Sequence, residues 1–208
     1  NNYHYKNISH TIGNILDYNH LVNAMRGSNY VFHFASLADI DASYKYPDKY
    51  LETNILGTLN VLKACVECGI TKIIFASSVY VTSEYGSFYR ISKQTCEKLI
   101  EEFKRNYNLK YTVLRFGSLY GPRSDQTNNI YRIIRQAITE NKITYKGDPN
   151  AMREYIYVKD AARVALNVLE GTEGEKTFYV AITAGGHHYH KKDSDPQHSV
   201  TIIVTKRL

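Results

Sequence analysis

Apolar runs are short throughout these 208 residues; none approaches the ~18–20 residues that a membrane-crossing helix needs. The opening NNYHYKNISH is polar and lacks the apolar stretch of a secretory leader. Tryptophan is absent, and cysteine occurs only three times. So few cysteines, and an odd number, build no disulfide framework and fit a reducing compartment. A cytoplasmic protein is the expectation. Cys65 and Cys68 do form a C-x-x-C, but they sit in LNVLKACVECGI, the last turns of an amphipathic helix stopped by Gly69. No second Cys/His pair follows at zinc spacing, so both read as packing residues.

Charge of one dominant sign is also missing. The net +6 comes from 26 basic and 20 acidic residues, interleaved as in EKLIEEFKR. That is a solvated surface rather than a nucleic-acid footprint, and a mild positive balance suits an anionic small molecule. With 43% hydrophobic residues the chain can build a core, enough for one domain or one domain and part of another.

Strand-like and helix-like segments alternate, which predicts an α/β fold with a mainly parallel sheet. NYVFHFAS (29–36) and TKIIFASS (71–78) read as buried strands, and KYTVLRFGSLYG (110–121) as a strand running into a loop. Helices are expected over 47–68, where Leu51, Ile55, Leu59 and Leu62 recur at helical spacing, and over 88–107, with Leu99, Ile100 and Phe103 on one face. Further helices are expected near 127–140 and 159–170, and short strands near 143–146, 154–158 and 177–182. Upstream, SHTIGN reads as a possible short strand and DYNHLVNAMRG as a helix. Downstream of Gly185 the composition changes abruptly. His187, His188, His190 and His198 there lie on no periodic element, so a polar tail is expected rather than a metal site.

The stretch IIFASSVYVTSEYGSFYRISK carries the chemistry. A β-branched run ends in Ser77 and Ser78, and a helix soon begins with Tyr89 and Lys93 four positions apart, hence on one face. A free phenol with a pKa near ~10 is no base at neutral pH. A nearby ammonium favours the phenolate, and lowering it by about three units takes roughly 4 kcal/mol, attainable in a partly buried cleft. A serine at the strand's carboxyl end could hold a substrate oxygen against the phenol, since ligands of open α/β sheets bind at that edge. The plain alternative is an ordinary surface pair on a helix, with Ser77 simply ending a strand.

In order along the chain, VFHFASLADI, NILGTLNVLKAC, IIFASS, YRISK, LRFGSLYGPR and REYIYVKDAARV resemble the extended short-chain dehydrogenases/reductases, in the NAD-dependent epimerase/dehydratase branch that acts on nucleotide sugars. The resemblance spans roughly residues 13–183. It implies a Rossmann-like doubly wound parallel sheet, N-terminally truncated, with part of a small C-terminal substrate lobe. It divides the chain into an incomplete dinucleotide-binding region (1–122), a mixed remainder (123–183) and an atypical tail (184–208).

It also implies roles. Tyr89 would be the acid/base, Lys93 its tuner and a ribose ligand, and Ser78 the substrate's hydroxyl partner. Phe34, Ala35 and Ser36 would line NAD, Asn54 would support the site, and Phe116 and Ser118 would lie near nicotinamide and substrate. Arg153 would reach the diphosphate, where its planar fork suits phosphate oxygens. GNILD places Asn14 and Ile15 where the family holds adenine, with Asn14 in place of the usual Asp. Asn54 and Arg153 have plain readings too, as a helix residue satisfied by backbone and as a surface charge.

Three departures qualify the resemblance. The family's opening strand, G-x-x-G-x-x-G turn and helix find no counterpart, because HTIGN has one glycine and GGHH lies at the wrong end. In the order 3-2-1-4-5-6 that strand is central, so its loss would leave unpaired backbone, and a fragment of a longer enzyme is expected. The gap from Ser78 to Tyr89 is only eleven positions, which shortens the lid beside a sugar. The Thr82-Ser83-Glu84 triplet falls past the place where a dehydratase carries its elimination acid. The resulting expectation is NAD-dependent epimerisation, or related oxidoreduction, of a nucleotide sugar. The alternative is a non-catalytic fragment or binding module that cannot hold dinucleotide, and the lesser one a nucleotide-sugar 4,6-dehydratase. Partners are then a nucleotide-sugar and possibly a second copy, paired through 47–68 and 88–107, without nucleic acid or membrane.

Overall fold

The computed structural model describes residues 8–144 and 155–170, and the backbone of 176–180 and 200–203. Five parallel strands form one sheet in the order β6-β3-β2-β1-β7: β1 (Tyr30–His33), β2 (Lys72–Ser78), β3 (Lys110–Phe116), β6 (Lys176–Val180) and β7 (Val200–Ile203). A second, two-stranded parallel sheet joins β4 (Ser118–Tyr120) to β5 (Tyr155–Tyr157).

Both faces of the large sheet are covered, which explains why its strands read as continuous apolar runs rather than alternating ones. Successive side chains of β2 take opposite faces: Ile73 and Phe75 pack with α1 (Tyr18–Met25), α4 (Gly57–Glu67) and α5 (Ser87–Tyr107), whereas Ile74 joins Phe32, Leu114 and α7 (Val158–Glu170). Helices on both faces of a parallel sheet make the expected Rossmann-like layout.

The helices start where the sequence caps them. Asp17 accepts from the His20 amide at the head of α1, and Asp39 from Ala42 at the head of α2 (Ile40–Lys45). The single helix expected over 47–68 is three pieces: α3 (Pro47–Tyr50), a π-helical segment (Leu51–Leu56) and α4. The π segment carries Asn54, and such insertions gather at functional sites. α5 keeps the apolar stripe Cys96, Ile100 and Phe103 against the sheet and ends at Asn108 in the left-handed conformation. α6 (Asn129–Glu140) buries no side chain.

Several expectations are corrected. SHTIGN is not a strand, and Ile143 and Thr144 are not in one. The backbone of β1 is not left unpaired either, because β7, within 184–208, pairs with it in register from Tyr30↔Val200 to His33↔Ile203. A strand buried on both faces needs partners for its backbone, and the β-branched Val-Thr-Ile-Ile provides them. The four tail histidines and Arg153 lie outside the described residues. No helix among the described residues is long and apolar enough to cross a membrane.

Candidate active site

β2 and α5 bring the predicted trio together. Ser77, on the face of β2 that also carries Ile73 and Phe75, donates to Glu97 of α5, while Ser78 lies beside the phenol of Tyr89 at the strand's carboxyl end. The Ser78 oxygen also accepts from the Tyr80 amide and so caps the short 3-10 turn Val79–Thr82. Gly86, at φ 106°, turns the chain into α5, and Tyr89 follows in its first turn. Lys93 stands one turn later with Nζ 5.9 Å from the Tyr89 ring centroid and 4.8 Å from that of Phe75. Its ammonium donates to the Ala76 carbonyl at 2.8 Å.

Burial dominates the electrostatics of both groups. It pushes the Tyr89 phenol up to about 12, against the lowering effect of the Ser78 hydrogen bond. It pulls Lys93 down to about 8, against the opposing influence of Cys96 and Glu97. In this geometry Nζ is aimed at a backbone carbonyl, and burial is the largest influence on the phenol.

Asn54 ties the floor of the site to the helix. Its side chain accepts from the Leu37 amide (2.8 Å) and donates to the Leu37 carbonyl (3.0 Å) and to Ser92 Oγ (2.9 Å). Ser92 in turn donates to the Tyr89 carbonyl at 2.8 Å. One amide thus fixes the loop after β1 and the turn of α5 that presents the phenol.

Ala35 is buried in that loop, Ser36 donates to the Leu37 carbonyl, and Phe34 stands edge-on to Phe116 at 6.5 Å. Ser118 begins β4, half-buried. Asn14 is exposed and accepts from the Leu16 amide, making a turn; Ile15 is 3% exposed, its side chain in the core against Gly57, which leaves only its backbone to meet a ligand. Thr82 and Glu84 are exposed, the Thr82 hydroxyl donating to the Val79 carbonyl.

Sequence reasoning passed over four residues of the neighbourhood. His33 is fully buried with Nε2 2.9 Å from Thr58 Oγ1, and burial holds it neutral at about 3. Its Nδ1 has no hydrogen-bond partner among the described residues. Ser92, Glu97 and Arg115 were missed as well. Glu97 continues the Tyr89/Lys93 spacing by one more turn, the signal that was there to be found.

A family model described as "NAD dependent epimerase/dehydratase family" matches residues 1–181. The chain belongs to this family. A Bacillus subtilis protein described as an uncharacterized UDP-glucose epimerase is 30% identical over 162 residues, 72% of this chain and 51% of its own length. The UDP-N-acetylglucosamine 4-epimerase of Methanobrevibacter ruminantium superposes with a TM-score of 0.79 at 28% identity, covering 87% of this chain and 63% of that one. The Thermus thermophilus UDP-glucose 4-epimerase, solved in complex with NAD, gives 0.72 at 28% identity, covering 84% and 63%. Sugar 4,6-dehydratases are among the relatives too. The chain spans about half the length of the curated relatives it matches.

The family's cofactor meets a mixed fit. Ala35 follows β1, Phe116 ends β3, and Tyr89 and Lys93 begin α5, all at the carboxyl edge of the sheet, where an open α/β sheet takes the ribose and nicotinamide end. Among the described residues there is no glycine-rich turn between a strand and a helix to cradle the diphosphate, and β7 fills the position beside β1.

Proposed function

We propose that this chain carries the acid/base half of a nucleotide-sugar epimerase, with Tyr89 as the group that exchanges a proton with a sugar hydroxyl. The observation that carries this is the placement of Ser78 beside one buried phenol and of Lys93 one turn along the same helix face, with Nζ 5.9 Å from the ring centroid. Ser78 holds the sugar oxygen beside the Tyr89 hydroxyl. Tyr89 rests as the neutral acid, ready to protonate a sugar carbonyl oxygen as it becomes an alcohol. The reverse step, taking the hydroxyl proton, needs the phenol brought from about 12 towards neutrality. That is roughly 7 kcal/mol, within reach of two buried groups a few ångströms apart and beyond any exposed pair. Lys93 does this by turning from the Ala76 carbonyl to the phenol. NAD, when bound, supplies a reversible hydride acceptor, so the sugar inverts without net oxidation. Lys93 and Phe116 would hold its ribose and nicotinamide, Phe34 and Ser36 the wall beside them, and Asn14 and the Ile15 backbone its adenine.

Exposed Thr82 and Glu84 supply no elimination acid beside Tyr89, which supports epimerisation over dehydration. Ser118 and Arg153 are assigned to the substrate, and α4 and α5 to pairing with a second copy. Calorimetric titration of the folded chain with NAD, followed by UDP-sugar turnover, tests the reading. Tyr89→Phe is expected to lower turnover by ~10²–10⁴-fold with the melting temperature nearly unchanged. Unchanged turnover removes Tyr89 from the role. A folded chain that binds no NAD supports instead the non-catalytic module.

A further inference from the structure

Tyr89, Lys93 and Glu97 lie four apart on α5 and share one face. Glu97 is 7% exposed and is gripped from two strands. Its Oε1 accepts from Ser77 Oγ (2.5 Å) and Arg115 Nε (3.0 Å), and its Oε2 from Arg115 Nη2 (2.6 Å). The guanidinium fork fixes the carboxylate in one plane as well as at one place. Each member adjoins the site. Ser77 lies between Ser78 and Ala76, whose carbonyl holds Lys93; Glu97 is one turn beyond Lys93; Arg115 precedes Phe116. A buried ion pair is seldom a net gain over an apolar pair of the same volume. Stability alone therefore does not account for this one.

Resting on the acid/base reading above, we propose that Glu97, locked by Arg115, is a positioning residue that sets the end of β2 against α5, so that Ser78 meets Tyr89 and the Ala76 carbonyl holds Lys93 at rest one turn from the phenol. Ser77 is the tether. With its hydroxyl bound to Glu97, the next residue is aimed at the phenol and the preceding carbonyl at the ammonium. The carboxylate also favours the charged form of Lys93, which Tyr89 and Cys96 of α5, His33 of β1 and the Phe75 ring and Ala76 carbonyl of β2 otherwise surround.

The test uses the full chain and its variants. Glu97→Gln keeps an acceptor for Ser77 and drops the charge. Glu97→Met combined with Arg115→Met removes the pair without orphaning a buried charge. The 13Cε resonance of Lys93, assigned by its loss in Lys93→Arg, reports the lysine's titration with neither cofactor nor sugar present. The midpoint is expected to move down in both variants, and Glu97→Asp is expected to restore part of it. With NAD and UDP-glucose, kcat is expected to fall about 10²-fold with KM little changed, as for a slightly misplaced catalytic group. The double variant is expected to melt near the parent. A double variant with parental melting, parental lysine titration and parental kcat overturns the proposal, since a merely structural pair is replaceable by methionines. If the parent turns over no sugar, the acid/base reading falls, and the lysine midpoint alone decides this inference: unmoved, it overturns it.

Discussion

Lys93 shows at a single residue what burying an amine does to its host. Its pKa of about 8, against 10.5 when exposed, means that the folded chain resists charging it. The unfolded chain binds that proton more tightly, so between about pH 8 and 10.5 stability rises with pH. Below about 8 both states are protonated and the full penalty applies, on the order of 3 kcal/mol. Replacing the ammonium with an apolar chain of similar length removes that penalty and leaves the Ala76 carbonyl short of one hydrogen bond, a loss of about 1 kcal/mol. Lys93→Met is therefore expected to stabilise the fold by about 1–3 kcal/mol at pH 7, an advantage that fades towards pH 10.5. Urea denaturation of both chains across that range checks it. A variant less stable than the parent at pH 7 contradicts the burial argument.

At the scale of elements, the turn after β4 tests how tightly the small sheet is built. Gly121 sits at φ +139°, a region where side chains are strained. A Cβ there would lie 2.7 Å from Val158 Cγ1 and 2.9 Å from Tyr157 Cε2, on the ring that packs at a tilt against Tyr120. Gly121→Ala is expected to destabilise β4–β5 by about 1–3 kcal/mol. Hydrogen exchange should quicken in Ser118–Tyr120 and Tyr155–Tyr157 and stay unchanged in α4; protection in both strands equal to the parent's contradicts it. The same elements show what the sequence could reveal. α5 was legible because its apolar stripe keeps helical period. The π segment was not, since Leu51, Ile55 and Leu59 fit an unbroken helix and only the backbone shows the wider turn. α2 has no such stripe and depends on its Asp39 cap. KYTVLRFGSLYG reads as a strand running into a loop, yet Ser118–Tyr120 is a second strand and belongs to the other sheet.

For the whole molecule, the parallel sheet and the Tyr89–Ser78–Lys93 cluster were legible because strand ends and helix starts lie close in sequence. The Ser77–Glu97–Arg115 tether was not, since it joins three elements that only packing brings together. Least legible was β7, hidden in a stretch whose composition reads as tail. Its pairing makes a strong demand on the fold. Val31, Phe32 and His33 are at most 2% exposed, so β1 behaves as an interior strand. Without β7 the outer N–H and C=O groups of β1 would form an open edge along an apolar strand, a template for another chain. Deleting residues 199–208 is expected to lower stability by about 2 kcal/mol and to produce concentration-dependent association. Ile202→Pro keeps the length and places a residue without an N–H opposite Phe32, so it is expected to act in the same direction with a smaller effect. Thermal unfolding combined with sedimentation at rising concentration separates the two contributions. Parental melting in both variants would mean that β1 stands without this partner, and that the sheet's order ends at β1.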